Sequence, residues 1–360
     1  MSSLSFIRKF NIKWLQNLNF REVIVMRTEK IMTVIETHSC GETTKVVMSG
    51  FPRVPGKTMW EKTKYCQNHL DHLRKALMTQ PRGFSGILGA VITEPSSQEA
   101  DFGVIFMYTG GYFHSCGDST FSVTKVLIDQ GMVEVKEPLT RIVLDTAAGL
   151  VRVQAEVKEG TVGRISFQGP PSFYQESTML NVPDVGKIHA DIAFGGLYYA
   201  LVDSEEVGIK VHPENAKRLI EVGMRILDAA NKQVKVRHPE NPDLNKIELV
   251  SFSAQPARRE HNFKHANVYG NTICVSPAGT SVSAKLATLA AKGKIKVGED
   301  LIVESLVDPD LIMIGKAVGK AKVGDYTAVT PELSAYAYII GIQQVVIERR
   351  DPIRYGFILS

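Results

Sequence analysis

Cys116 is followed by Gly117-Asp118-Ser119-Thr120 and then by a run of helical periodicity that stops at Gly131. A cysteine at such a point faces the free backbone N–H groups and positive dipole end of a helix start, both of which favour a thiolate. A thiolate is a base and a nucleophile, so this spacing suits removal of a proton from carbon. A cysteine before a helix is also commonly a buried, inert thiol, and the residue alone leaves both readings open.

Sliding the chain against itself gives that residue a counterpart. Cys116-Gly117-Asp118-Ser119-Thr120, the helical run to Gly131 and the following MVEV align without a gap on Ala278-Gly279-Thr280-Ser281-Val282, a helical run to Gly293 and KIKV. Each copy has a helix-start glycine among small hydroxylated residues, an amphipathic helix, a terminating glycine and a strand-like segment. The repeat predicts two similar halves, each with one central helix, meeting at a cleft. Their boundary is expected near Thr140, giving a first half over residues 26–140 and a second over 141–360, with C-terminal strands free to cross back to the first.

The elements that must hold these helices are mostly strands. Residues 31–47 and 86–107 alternate β-branched and polar residues between glycine and proline punctuation, and 141–157 and 164–168 repeat the pattern. Helical spacing covers 57–78 and about 213–232, with further strands running to Cys274. The fold class expected is α+β.

At 360 residues the chain can bury a sizeable core in one large domain or two smaller ones. Lys and Arg exceed Asp and Glu only by 42 to 38, scattered rather than blocked, which argues against a nucleic-acid partner. Nothing in the sequence spans a membrane. The cysteines at 40, 66, 116 and 274 form no CxxC pair and no zinc spacing, so no structural metal is expected and a reducing, cytoplasmic setting is. Residues 1–25 are basic and partly amphipathic without the apolar core and cleavage site of a secretory signal. They read either as a loosely attached surface segment or, the favoured reading, as the product of a start codon chosen too far upstream of Met26, with an organelle-targeting role as a third reading.

The pieces ETHSCGETTKVVMSGFP, PRGFSGILGAVITEP, ADFGVIFMYTGGYFHSCGDST, FGGLYYALVD, SPAGTSVSAKLATLAAKGKIKVGEDL and DPIRYGFIL resemble the proline racemase superfamily in order and spacing from about Ile31 to the end. The resemblance implies two pseudo-symmetric halves similar to diaminopimelate epimerase, each a strand-rich layer around a central helix, with an amino acid of the proline or hydroxyproline class bound between the helix starts. It implies no cofactor, and a homodimer is one assembly it allows. The resemblance places the backbone N–H groups of Gly117, Asp118, Gly279 and Thr280 to bind the substrate carboxylate, and Cys116 to take its α-proton. Two helix N-termini facing one anion are physically apt for this.

The sequence also departs from the family's pattern. Racemases of the family carry a cysteine at each helix start, but the second position here is Ala278, which has no proton to give. Members that keep only the first cysteine resemble trans-3-hydroxy-L-proline dehydratases, usually with threonine at the second position. The family's histidine after Cys-Gly is Asp118, the glycine after it is Ser119, and the aspartate that holds the substrate nitrogen is Cys274. Asp118 would oppose both a thiolate and a bound carboxylate unless protonated or turned away, and it also reads as a cap facing solvent. Cys274 reads as a buried apolar thiol or as a replacement acid. Phe84, in PRGFSG, gives an apolar wall where the family has a polar group. His38 is expected to satisfy a backbone group near its strand end, and neither it nor His114 is placed in the catalytic set.

A dehydratase-like lyase with a single cysteine base is therefore the leading expectation. A racemase or epimerase with a second, unidentified acid is the alternative. An α-deprotonating enzyme with another amino acid substrate and a catalytically silent binding homologue complete the set.

Overall fold

The computed structural model describes residues 28–358; the N-terminal extension read from the sequence lies outside them. Thr28–Ser39 and Glu42–Ser49 form an antiparallel hairpin whose register closes at Ser39 opposite Glu42. The two-residue turn needs positive φ, which Cys40 at 50° and Gly41 at 88° supply. Glu42 is thereby fixed at the first strand position after the turn. Alternation puts it on the buried face with Thr44 and Val46.

The strand Ala337–Glu348 returns to pair antiparallel with Thr28–Ser39. These strands, with Glu42–Ser49, Leu88–Thr93 and Thr161–Gln168, pack around the helix Gly117–Asp129. Strands on both sides of Thr140 share this layer, since Leu139–Thr146 runs parallel to Phe102–Tyr108 and leads through Gly149–Lys158 to Thr161–Gln168. The second central helix, Gly279–Ala291, is wrapped by Ser172–Val182, Gly186–Phe194, Ile312–Val323 and Tyr326–Ala335. Tyr326–Ala335 also pairs with Thr161–Gln168, which joins the two layers edge to edge.

Both central helices feed one core. Phe121, Val126 and Leu127 of the first and Val282 and Leu286 of the second are fully buried in the same apolar cluster. Burying each such side chain contributes about 1.5–3 kcal/mol, so this shared core fixes the helix starts relative to each other.

The predicted helix over 57–78 forms as Met59–Tyr65 and Asp71–Met78 around a π-helical turn, Cys66–Leu70. The one over 213–232 forms as the short turn Pro213–Asn215 followed by Ala216–Gln233. Gly223 in the latter admits close packing, because a Cβ there would meet Val268 at 2.9 Å.

The repeat extends to the helix ends. Gly131 and Gly293 are left-handed, with Met132 N–H donating to Leu127 O and Lys294 N–H to Leu289 O, the same Schellman closure in both copies. The expected strands at MVEV and KIKV do not form; strands resume only at Leu139 and Asp300. The capping turn carries these residues away from the ladder, and Val133 and Ile295 pack on the core instead.

Candidate active site

The two 13-residue central helices begin face to face: a Cβ built on Gly117 would lie 3.7 Å from Gly279 Cα. A Cβ on Gly279 would meet the Leu333 side chain at 2.8 Å, whereas one on Gly117 would make only ordinary contacts. The two starts differ in backbone. Cys116 is extended at φ −148°, ψ 117°, whereas Ala278 is left-handed at φ 58°, ψ 119°. Thr120 secures the first by donating its hydroxyl to Cys116 O at 2.7 Å.

The loop before the second helix is held by Asn267, whose amide donates to Ser276 O at 3.2 Å and Pro277 O at 2.9 Å. Ser276 Oγ in turn accepts from Ala278 N–H at 3.1 Å and donates to Asp118 Oδ1 at 2.7 Å. Cys274 Sγ donates to Glu42 Oε2 at 3.1 Å, and Val275 N–H reaches the same oxygen at 2.9 Å. Tyr199 OH and Thr280 Oγ1 lie 2.8 Å apart. The residues 274–276 are thus the strip to which both acids, Glu42 and Asp118, are tied.

The electrostatics follow from burial. Asp118 is 4 % exposed, and desolvation, reinforced by Glu42, pushes its carboxyl up to about 7 against the pull of the Ser276 hydroxyl. It does not face solvent as a simple cap would. Burial likewise raises Glu42, with the Cys274 thiol and the Val275 and Ser276 amides opposing. Cys116 is half-buried while Cys40, Cys66 and Cys274 are buried. Desolvation and then Asp118 push the Cys116 thiol up to about 12, the Ser119 hydroxyl and amide working against them. The helix start alone would favour the thiolate, but without ligand the surrounding acids and burial outweigh it. No Lys or Arg is among the charges acting on Glu42, Asp118, Cys116 or Cys274. The arrangement is short of positive charge, which a ligand's ammonium would supply.

Of the residues singled out from the sequence, Cys116, Gly117, Asp118, Cys274, Gly279 and Thr280 converge here. Phe84 stands apart, 53 % exposed beside a cavity of about 120 Å³ lined also by Gln80, Thr109 and Phe357. His38 accepts from Gly41 N–H at 3.4 Å and stacks on Tyr338, while His114 sits edge-on to Trp60. Glu42 and Ser276 were not singled out. Glu42 had a signal, an acid on the apolar face of a hairpin strand; Ser276 had none beyond its place before Ala278.

Two helix starts thus meet over a half-buried thiol and two buried acids, between paired strand layers. The proline racemase family model matches residues 34–358, and the chain belongs to that family. It is 37 % identical over 337 residues to a proline racemase of Clostridioides difficile, covering 93 % of this chain and all of the relative. It is 35 % identical over 336 residues to a trans-3-hydroxy-L-proline dehydratase of Bacillus thuringiensis, with the same coverage. A hydroxyproline epimerase from Agrobacterium vitis, solved with bound trans-4-hydroxy-L-proline, superposes with a TM-score of 0.83 at 30 % identity, covering 93 % of this chain and 96 % of that one. A PhzF-family protein of Bacillus anthracis, 12 % identical with a TM-score of 0.55, shares the fold. Among the described residues no helix is long and apolar enough to cross a membrane.

Proposed function

We propose that the protein removes the α-proton of a proline-like amino acid with Cys116 and eliminates a β-hydroxyl from a 3-hydroxylated proline. Ala278 at the second helix start carries this reading: the twin position has no proton to return, so a single-base reaction fits better than inversion.

In this scheme the substrate carboxylate lies at the N–H groups of Gly117, Asp118, Gly279 and Thr280, where two dipole ends and free donors offset its charge. Its ammonium enters the acid cluster and offsets the acid charges that, after burial, hold the thiol protonated, and a carboxylate of the cluster takes the thiol proton. The Cys116 thiolate then takes the α-proton. The electron pair left on the α-carbon forms a double bond to the β-carbon as the C–O bond breaks. Hydroxide leaves and takes the proton now on Cys116 to become water, which restores the thiolate, and the resulting enamine tautomerises to a cyclic imine.

The 3.1 Å contact between Cys274 and Glu42 favours a second reading, racemisation or epimerisation with Cys274 as the proton donor on the other face. Incubation with trans-3-hydroxy-L-proline, L-proline and trans-4-hydroxy-L-proline, followed by NMR, separates the two. Cyclic imine from the first substrate alone supports the lyase; inverted proline or hydroxyproline overturns it in favour of the isomerase.

A further inference from the structure

We infer that Glu42 holds the ammonium of the amino-acid ligand, in the role the resemblance gives to an aspartate at position 274; this rests on the function proposed above. A neutral side chain at 274 leaves the substrate nitrogen without its counter-charge on that strand. The structure brings a carboxylate to the same spot from the opposite layer. Glu42 is 5 % exposed, and its Oε2 is occupied by the Cys274 thiol and the Val275 amide. Neither of these bonds involves Oε1, and the one further donor acting on the carboxyl is the Ser276 amide.

A buried carboxylate with no cation acting on it is costly to keep. A secondary ammonium would complete it, offering two N–H donors in a charge-assisted contact. Geometry supports the same division of the ligand. Asp118 is turned to Ser276 and the helix starts present N–H groups at Gly117 and Gly279, so anion-binding donors and the Glu42 carboxylate belong to different elements of one cluster. The Cys274 thiol and Val275 amide act as positioning groups that hold Oε2.

Two ligands of similar shape and different nitrogen charge test this. L-Proline carries an ammonium; pyrrole-2-carboxylate carries a neutral N–H. In calorimetric titrations the wild type should bind both, and Glu42→Gln should weaken L-proline by about tenfold or more while changing pyrrole-2-carboxylate by less than about threefold. Equal losses for both ligands, or unchanged proline binding, would overturn the role of Glu42 and leave the proposed function standing. A wild type that binds neither ligand overturns the proposed function and this inference together. Should Glu42→Gln not fold, Glu42→Asp keeps the charge but withdraws it by one methylene. A loss confined to proline then supports the inference, and a loss shared by both ligands overturns it.

Discussion

The Ser276 hydroxyl donates to Asp118 Oδ1 at 2.7 Å, joining the loop before the second central helix to the first turn of the first. Burial, reinforced by Glu42, pushes the Asp118 carboxyl up to about 7 from its ordinary 3.8. The folded carboxyl therefore keeps its proton over a range where the unfolded one has lost it. Stability falls as pH rises between those two values, since the unfolded state binds fewer protons. Asp118→Asn removes this loss, and the variant should gain on the order of 3 kcal/mol relative to wild type between pH 4 and pH 8 in urea unfolding. A gain independent of pH would show that Asp118 is ionised throughout.

Gly117→Ala should leave the fold intact, because its Cβ would make ordinary contacts at 3.7 Å with Gly279 Cα and Phe167 Cζ. That methyl would stand between the two helix starts, where the carboxylate is expected. Ligand affinity should drop by about tenfold or more with a Tm change of only a few degrees. Undiminished affinity in calorimetry would move the carboxylate site elsewhere.

Ala278→Cys should introduce exchange of the proline α-proton with inversion, by placing a thiol opposite Cys116. The left-handed backbone at Ala278 sets that thiol off the symmetric direction, so the gain should be weak. Restoring aspartate at 274 is expected to help only if Glu42 is neutralised, since Cys274 Sγ lies 3.1 Å from the Glu42 carboxylate. Chiral analysis of proline should rank Ala278→Cys with Cys274→Asp and Glu42→Gln above Ala278→Cys with Cys274→Asp alone. The reverse order would mean that Glu42 does not compete with an acid at 274.

Alkylation should select Cys116, the half-buried cysteine of the four, and be blocked by pyrrole-2-carboxylate. With the thiol held near 12, the free protein's rate should keep climbing past pH 9.0, the ordinary thiol value. Equal labelling of all four cysteines with activity retained would contradict a catalytic Cys116.

The helix starts were legible because short-range signals mark them: small polar residues at Gly117 and Gly279, terminating glycines at 131 and 293, and apolar spacing between. The strand character of residues 31–47, which include Glu42, was legible too, through its alternation, but the turn at Cys40 and Gly41 was not. What Glu42 touches was not, since its partner Cys274 lies 232 residues away and its own strand pattern does not name the loop it meets. The 158-residue separation of Asp118 and Ser276 hid the burial of Asp118 in the same way. The left-handed Ala278 had no marker, because alanine rarely adopts that backbone region.

Loss of the α-proton measures the central claim most directly, because the α-carbon of the imine product carries no hydrogen and solvent deuterium enters only at the β-carbon as the enamine tautomerises. In deuterated water the wild type should process trans-3-hydroxy-L-proline, with α-proton loss keeping pace with imine formation, and Cys116→Ser should show neither although circular dichroism reports the same fold. Full turnover by Cys116→Ser would contradict the account, because the base would then be another group.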